Sequence, residues 1–310
     1  MKILFSILLI LFGWSAACSQ ALYSRSFGNP KHQPIIFLHG GPGSSSVYFE
    51  ATTAKLLADK GFFVIIYDRR GEGRSKDSTA KLNFNEAFAD LSGIYKKYNL
   101  RYASLIGFSF GGLIATQYAQ MHPGMVRAVV LCSALISQQK SYETILSKTR
   151  TIYEQRKDTT NLNELTAIAQ LNPRSFAYRT LVFRHASANG FFTLSDPDHL
   201  AKRIYATYKT DTLINSYLRN ESAVHTFWQN ENQVNIDVTP ILNSLRNANM
   251  PIFALYGKQD GLYSDEQVSG LKYLIGNSNV KYLDRCSHTV FIDQQSLFLS
   301  ALSTWLKKAK

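Results

Sequence analysis

Ser109 stands with a glycine two positions to either side, in Gly107-Phe108-Ser109-Phe110-Gly111. The pattern G-x-S-x-G sets a serine on a sharp strand-to-helix turn, so that its hydroxyl projects into open space; side chains at the flanking positions would clash as the backbone folds back. The context suits the motif: an apolar, strand-like run precedes it, and a helical pattern follows, with Gly112 available for close packing. A serine hydroxyl is a weak nucleophile at neutral pH and needs a base. His288, in Cys286-Ser287-His288-Thr289, is the best candidate. An acid must hold that imidazole in the right tautomer, and Asp260, in Gly257-Lys258-Gln259-Asp260-Gly261, follows a strand-like run. Asp265, further along the same loop, and Asp284, within a strand pattern, are the weaker rivals. The order serine, acid, histidine is the one the turn demands. Acyl transfer also needs N–H donors for the developing oxyanion. Phe110, directly after the serine, would supply one. Gly41, in His39-Gly40-Gly41-Pro42-Gly43, would supply the other, since Pro42 has no N–H to give. His39 is expected to position this loop rather than to act as a second base. No Lys-Ser/Thr pair follows these glycines, which excludes a P-loop.

The elements that must carry these residues are legible as short apolar runs. Six stand out, at 34–40, 62–68, 102–108, 126–134, 250–257 and 279–286. Continuous runs of this kind suit strands buried on both faces, hence a mostly parallel sheet. Helical spacing of apolar residues is found at 47–60, 83–98, 113–121 and 294–308, the first stopping at Gly61 and the third before Pro123. The alternation predicts an α/β doubly wound architecture. Residues 136–248 interrupt it with a helical, aromatic-rich stretch and no clear buried strand. The expected organisation is therefore core at 19–135, a helical cap or lid at 136–248, and core again at 249–310. The cap falls at the carboxyl edge of the sheet, where open α/β sheets bind ligands. Phe191, Phe192, Phe227 and Trp228 would let it offer an apolar pocket.

The combination of His39-Gly40-Gly41-Pro42-Gly43, Asp68-Arg69-Arg70-Gly71-Glu72-Gly73-Arg74-Ser75, the turn at Ser109, Asp260 and His288 resembles the α/β-hydrolase superfamily, in particular its prolyl aminopeptidase (proline iminopeptidase) branch. The resemblance implies an α/β-hydrolase fold with an inserted helical cap, Ser109 as nucleophile, Asp260 and His288 as its partners, and Gly41 and Phe110 as oxyanion donors. In that branch, glutamates of the lid hold the substrate's free amino group. Glu221 and Glu231, in Asn220-Glu221-Ser222-Ala223-Val224-His225-Thr226-Phe227-Trp228-Gln229-Asn230-Glu231, are the candidates, with Trp228 a candidate contact between them. The serine turn differs from the branch's common Gly-Gly-Ser-Trp-Gly, and the chain before residue 34 leaves room for one strand where the branch has two. Three readings follow: an aminopeptidase, a carboxylesterase or related acyl hydrolase using the same residues, or a non-catalytic ligand-binding protein on this fold.

The chain of 310 residues is 45% hydrophobic, which suffices for one sizeable core and an accessory region. Its first eighteen residues are of another kind. Lys2 precedes an almost wholly apolar stretch from Ile3 to Phe12, and Ser15, Ala16 and Ala17 lead to Cys18. The stretch is short of the roughly 20 residues that span a bilayer and fits a secretory leader. The cysteine after small residues resembles a bacterial lipoprotein signal, which implies lipidation of Cys18 and an exported protein anchored to, rather than spanning, an envelope membrane; a periplasmic or secreted protein is the alternative. The net charge of +12 is scattered, densest around Arg69, Arg70 and Arg74, and gives no nucleic-acid motif. Those arginines are expected to pin a loop. No metal or organic cofactor is implied, since the histidines lack zinc-ligand spacing, and the expected partner is a small-molecule or peptide substrate. Cys132 and Cys286 are read as small buried residues, with a disulfide between them left open.

Overall fold

A computed structural model describes residues 22–308 except 218 and 232–234, so Cys18 and the leader lie outside the described residues. Seven strands form one sheet: β1 (Ser24–Phe27), β2 (Gln33–Leu38), β3 (Phe62–Tyr67), β4 (Ala103–Phe108), β5 (Val126–Cys132), β6 (Ile252–Gly257) and β7 (Val280–Leu283). Their order is β1-β3-β2-β4-β5-β6-β7, and every pair is parallel except β1 with β3. The parallel strands explain the unbroken apolar runs. Alternate residues of each run enter opposite cores: Ile36, Leu38, Ile65, Leu105, Val129 and Leu131 join one, and Ile35, Phe37, Val64, Ile66, Ile106 and Val130 the other.

Helices cover both faces. On the first lie Phe84–Lys97, Phe110–Met121, Thr239–Asn247 and Asp265–Ile275, which contribute Leu91, Ile114, Leu242 and Leu271 to its core. On the second lie residues 47–58 and Gln295–Lys308, which contribute Leu57, Phe298 and Leu302. Local signals set several helix ends. Asn83 caps the helix Phe84–Lys97 by accepting from the N–H of Glu86 at 2.9 Å, and Ser264 with Gln267 forms a reciprocal capping box at Asp265. The first helical stretch is broken by a π turn at Glu50–Ala54, which spacing alone does not signal.

Between β5 and β6 the chain builds the cap from helices Gln138–Arg156, Thr159–Ile168, Phe176–Ala188, His199–Thr207, Thr212–Asn215 and Ala223–Asn230. The helix Thr239–Asn247 lies within the stretch expected as cap by sequence, yet it packs on Phe110–Met121 and Asp265–Ile275 in the core. An amphipathic pattern names no packing partner, so sequence carries no signal for the change. Among the described residues no helix is long and apolar enough to cross a membrane. Cys132 and Cys286 are buried and free.

Candidate active site

Ser109 follows β4 directly, and the helix Phe110–Met121 starts at the next residue, three residues earlier than the apolar spacing marks. The turn puts Ser109 at φ 51°, ψ −120°, a strained conformation for a residue with a side chain. Two glycines make the turn possible. A Cβ on Gly111 would meet the carbonyl oxygen of Leu38 at 2.2 Å, and one on Gly107 would meet the Cα of Gly112 at 2.6 Å. The backbone of Ser109 is held on both sides: its N–H donates to the Cys132 carbonyl at 3.0 Å, and its carbonyl accepts from the N–H of Leu135 at 3.0 Å. Its side chain makes no capping bond, which leaves the hydroxyl to the cavity it faces.

His288 and Asp260 come from the loops after β7 and β6. The Nδ1 of His288 lies 2.8 Å from Oδ2 of Asp260, and both side chains are buried. The other oxygen of Asp260 accepts from the N–H of Leu262 at 3.0 Å. The two rivals are placed elsewhere: Asp265 opens a helix and accepts from the Tyr282 hydroxyl at 2.6 Å, and Asp284 pairs with exposed Lys258 at 2.8 Å. The imidazole of His288 is packed by aromatic rings, with Phe108 at 5.1 Å and Phe192 at 5.5 Å between centroids. Its loop is fixed by a buried acid that sequence reading did not single out. Asp293 accepts from the N–H of Ser287 at 2.7 Å, from the Ser287 hydroxyl at 2.5 Å and from the hydroxyl of the cap residue Tyr205 at 2.6 Å.

Ser109, His288, Gly41 and Phe110 all line one cavity of about 510 Å³ beneath the cap. The N–H of Phe110 opens its helix and so has no intrahelical acceptor. The loop that carries Gly41 is tied by an internal ion pair. Buried Arg69 donates from Nη1 to the His39 carbonyl at 2.7 Å, from Nη2 to the Gly40 carbonyl at 2.6 Å, and from Nε to Glu72 at 2.6 Å. Glu72 in turn accepts from the N–H of Gly43. A Cβ on Gly41 would fall 2.9 Å from the Arg69 guanidinium, so this approach requires glycine. His39 serves the same loop: its Nδ1 donates to the Gly40 carbonyl at 2.8 Å, and its Nε2 accepts from the N–H of Arg69 at 3.1 Å. Burial and the Arg69 charge hold His39 well below the usual histidine range, as a neutral ring bonded through both nitrogens must be. Arg74 pairs with Asp68 at 2.7 Å and Glu50 at 2.6 Å, and Arg70 with Asp90 at 3.0 Å. The arginine cluster thus pins loops.

The cap supplies the rest of the lining, including Trp228, Phe192, Phe183, Arg179 and Arg219. Glu221 and Glu231, expected beside a substrate amine, do not line it. Glu221 is exposed and lies 3.5 Å from Arg219. Glu231 accepts from the N–H of Phe84 at 2.9 Å, at the start of a core helix. No aspartate or glutamate is among the described lining residues. Arg179 and Arg219 escaped sequence reading because single arginines in a polar helical stretch carry no spacing signal.

Residues 33–295 match the alpha/beta hydrolase fold family. The chain belongs to that family. It is 25% identical over 301 residues to a proline iminopeptidase of Lactobacillus helveticus (strain DPC 4571), a match covering 92% of this chain and 93% of that protein. It is 35% identical over 120 residues to a proline iminopeptidase of Lactobacillus crispatus (strain ST1), a match covering 37% of this chain and 41% of that protein. Its fold is similar to the crystal structure of a proline iminopeptidase-related protein from Thermus thermophilus, with a TM-score of 0.66, 19% identity, and coverage of 92% of this chain and 93% of that one.

Proposed function

We propose that this hydrolase cleaves a small ester or amide through an acyl-enzyme on Ser109. The carrying observation is the buried 2.8 Å contact between His288 and Asp260, together with a serine that a strained turn presents to the cavity His288 also lines. Asp260 accepts from Nδ1–H of His288, which leaves Nε2 as the basic nitrogen. His288 takes the Ser109 proton as Oγ attacks the substrate carbonyl. The oxyanion is held by the N–H groups of Phe110 and Gly41. His288 then gives its proton to the leaving group, and water, deprotonated in the same way, releases the acid product.

The relatives' names favour an aminopeptidase, which must hold a protonated amine near the scissile bond. The cavity favours an acyl hydrolase whose substrate has no free amine, because arginines rather than carboxylates face it. A prolyl arylamide and a short-chain aryl ester separate the two, with Ser109→Ala as blank. Ester cleavage without amide cleavage is expected. Efficient amide cleavage that disappears when the proline nitrogen is acylated would restore the aminopeptidase. A non-catalytic binder is set apart by a fluorophosphonate probe: labelling of the wild type and not of Ser109→Ala is expected, and an unlabelled, folded wild type would sink both enzyme readings. The sequence of residues 1–18 supports export with a lipid anchor on Cys18. The mass of the mature N-terminus tests this, since an unmodified Cys18 would leave a secreted or periplasmic enzyme.

A further inference from the structure

Arg179 projects from the cap helix Phe176–Ala188 into the cavity that also holds Ser109 and His288. Among the described residues it makes no ion pair. The groups that bear on it are the Tyr142 hydroxyl alongside and a second cation, Arg219, which lines the same cavity. Its guanidinium lies over the Phe183 ring, 4.9 Å from the ring centre, a cation–π contact. Burial and the neighbouring Arg219 push its pKa down, yet a guanidinium stays charged at any physiological pH. Tyr142, from the cap helix Gln138–Arg156, is wholly buried and lines the cavity. Its hydroxyl is buried against the Arg179 guanidinium and so backs that side chain. Among the described residues Arg219 pairs with Glu221, 3.5 Å away and largely in solvent, a pair of little energetic weight.

Two cations lining one cavity, with no carboxylate among its described lining residues, make it a site that favours an anion. A flat anion would accept two parallel bonds from the Arg179 fork, which Tyr142 backs from within the cap, with Arg219 adding long-range attraction. We propose that the substrate of this site carries a carboxylate, bound by Arg179 with Arg219 adding attraction, while Ser109 attacks a separate ester or amide carbonyl of the same molecule. The proposal rests on the acyl-hydrolase reading for the reaction and is independent of it for binding.

Matched pairs of probes test it. One pair places the charge on the acyl side: the mono-4-nitrophenyl ester of glutaric acid against 4-nitrophenyl pentanoate. The other places it on the leaving group: the butyrate ester of 3-hydroxybenzoic acid against that of its methyl ester. The expected result is a kcat/KM about tenfold or more higher for the charged member of one pair, a size typical of charge-assisted bonds. That ratio should fall toward one in Arg179→Gln, recover in part in Arg179→Lys, and persist in Arg203→Gln, which removes an exposed arginine of another cap helix. Binding to Ser109→Ala by calorimetry gives a readout that needs no turnover: phenylacetate should bind at least about tenfold more tightly than phenylacetamide, with the difference lost in the Ser109→Ala/Arg179→Gln double variant. No preference for the anion in either readout, or a preference that Arg179→Gln leaves intact, would overturn the proposal. Anion binding without turnover of any ester would keep it and overturn the hydrolase reading instead.

Discussion

The two walls of the cavity are built on opposite principles. On the core side each charged side chain near the serine has its partners inside the protein. Arg69 is spent on Glu72 and on two carbonyls of the glycine loop, Asp260 on His288 and Leu262, and Asp293 on the loop before His288. On the cap side Arg179 and Arg219 line the cavity, Arg179 with no ion pair among the described residues and Arg219 beside a Glu221 that lies largely in solvent. Satisfied networks in a low-dielectric interior hold atoms still, which is what attack geometry and an oxyanion site require. Cations outside such networks are poor scaffolding and good recognition surface, since a ligand can complete them. The division assigns reaction type to the core and substrate choice to the cap.

The core side can be broken most directly at Ser109. Ser109→Ala should lower kcat on any accepted ester by roughly 10⁵-fold without lowering Tm, because the side chain caps nothing. Pre-steady-state acyl accumulation should vanish with it. Asp260→Asn is expected to cost about 10⁴-fold while the fold persists, since the amide fills the same space and fixes the wrong tautomer of His288. Activity within tenfold of wild type would assign the orienting role elsewhere. Arg69→Met carries the comparison to the loop that holds Gly41. It strands Glu72 in the interior, so a stability loss of about 3–5 kcal/mol is expected, read as a lowered urea midpoint. The fraction that remains folded should lose about 100-fold in kcat with a smaller change in KM. A loss confined to KM would move Arg69 to the recognition side.

Lys148 sharpens the comparison because it belongs to the cap and serves the core. From the helix Gln138–Arg156 it donates to the carbonyls of Asp260 at 3.1 Å and Tyr263 at 2.7 Å, so it holds the acid's loop from above. Lys148→Met should lower kcat roughly tenfold for charged and neutral substrates alike. An effect on charged substrates only would make Lys148 part of the recognition wall.

How far the sequence carried this division follows from the kind of signal each wall leaves. The sheet was legible because strands buried on both faces must be continuously apolar, as at Phe62–Tyr67. The serine turn was legible because close backbone approaches at Gly107 and Gly111 admit no side chain. Such constraints act within a few residues of the motif and so imprint it. Asp293 left no such mark: an acid near the start of a helix reads as an ordinary first-turn residue until Tyr205, 88 positions away, is seen donating to it. Arg179 and Tyr142 meet only through the packing of two cap helices. Glu221 and Glu231 show the converse, since neighbours in sequence suggested a shared role, and the cap sends one to solvent and the other to a core helix. Long-range pairing of polar groups has no period, and pattern reading depends on period.

The smallest effect concerns the pH range in which the core wall keeps its form. His39 is bonded as donor at one nitrogen and acceptor at the other, and its pKa in the fold is well below the usual value. The unfolded chain therefore takes up its proton first as pH falls. The stability that neutral His39 contributes is whole above about pH 6.5, the ordinary histidine value, and drains away as pH drops toward the folded pKa. One such group gives a slope of about 1.4 kcal/mol per pH unit. Buried His185 in the cap, lowered by desolvation and by Arg184, adds a slope of the same sign. His39→Gln keeps a neutral polar group in the loop and removes one of the two, so stability measured from pH 7 to 5 should decline less steeply in the variant by that amount. An unchanged slope would mean that the glycine loop tolerates a charged His39, and the core wall would then be softer than its hydrogen bonds imply.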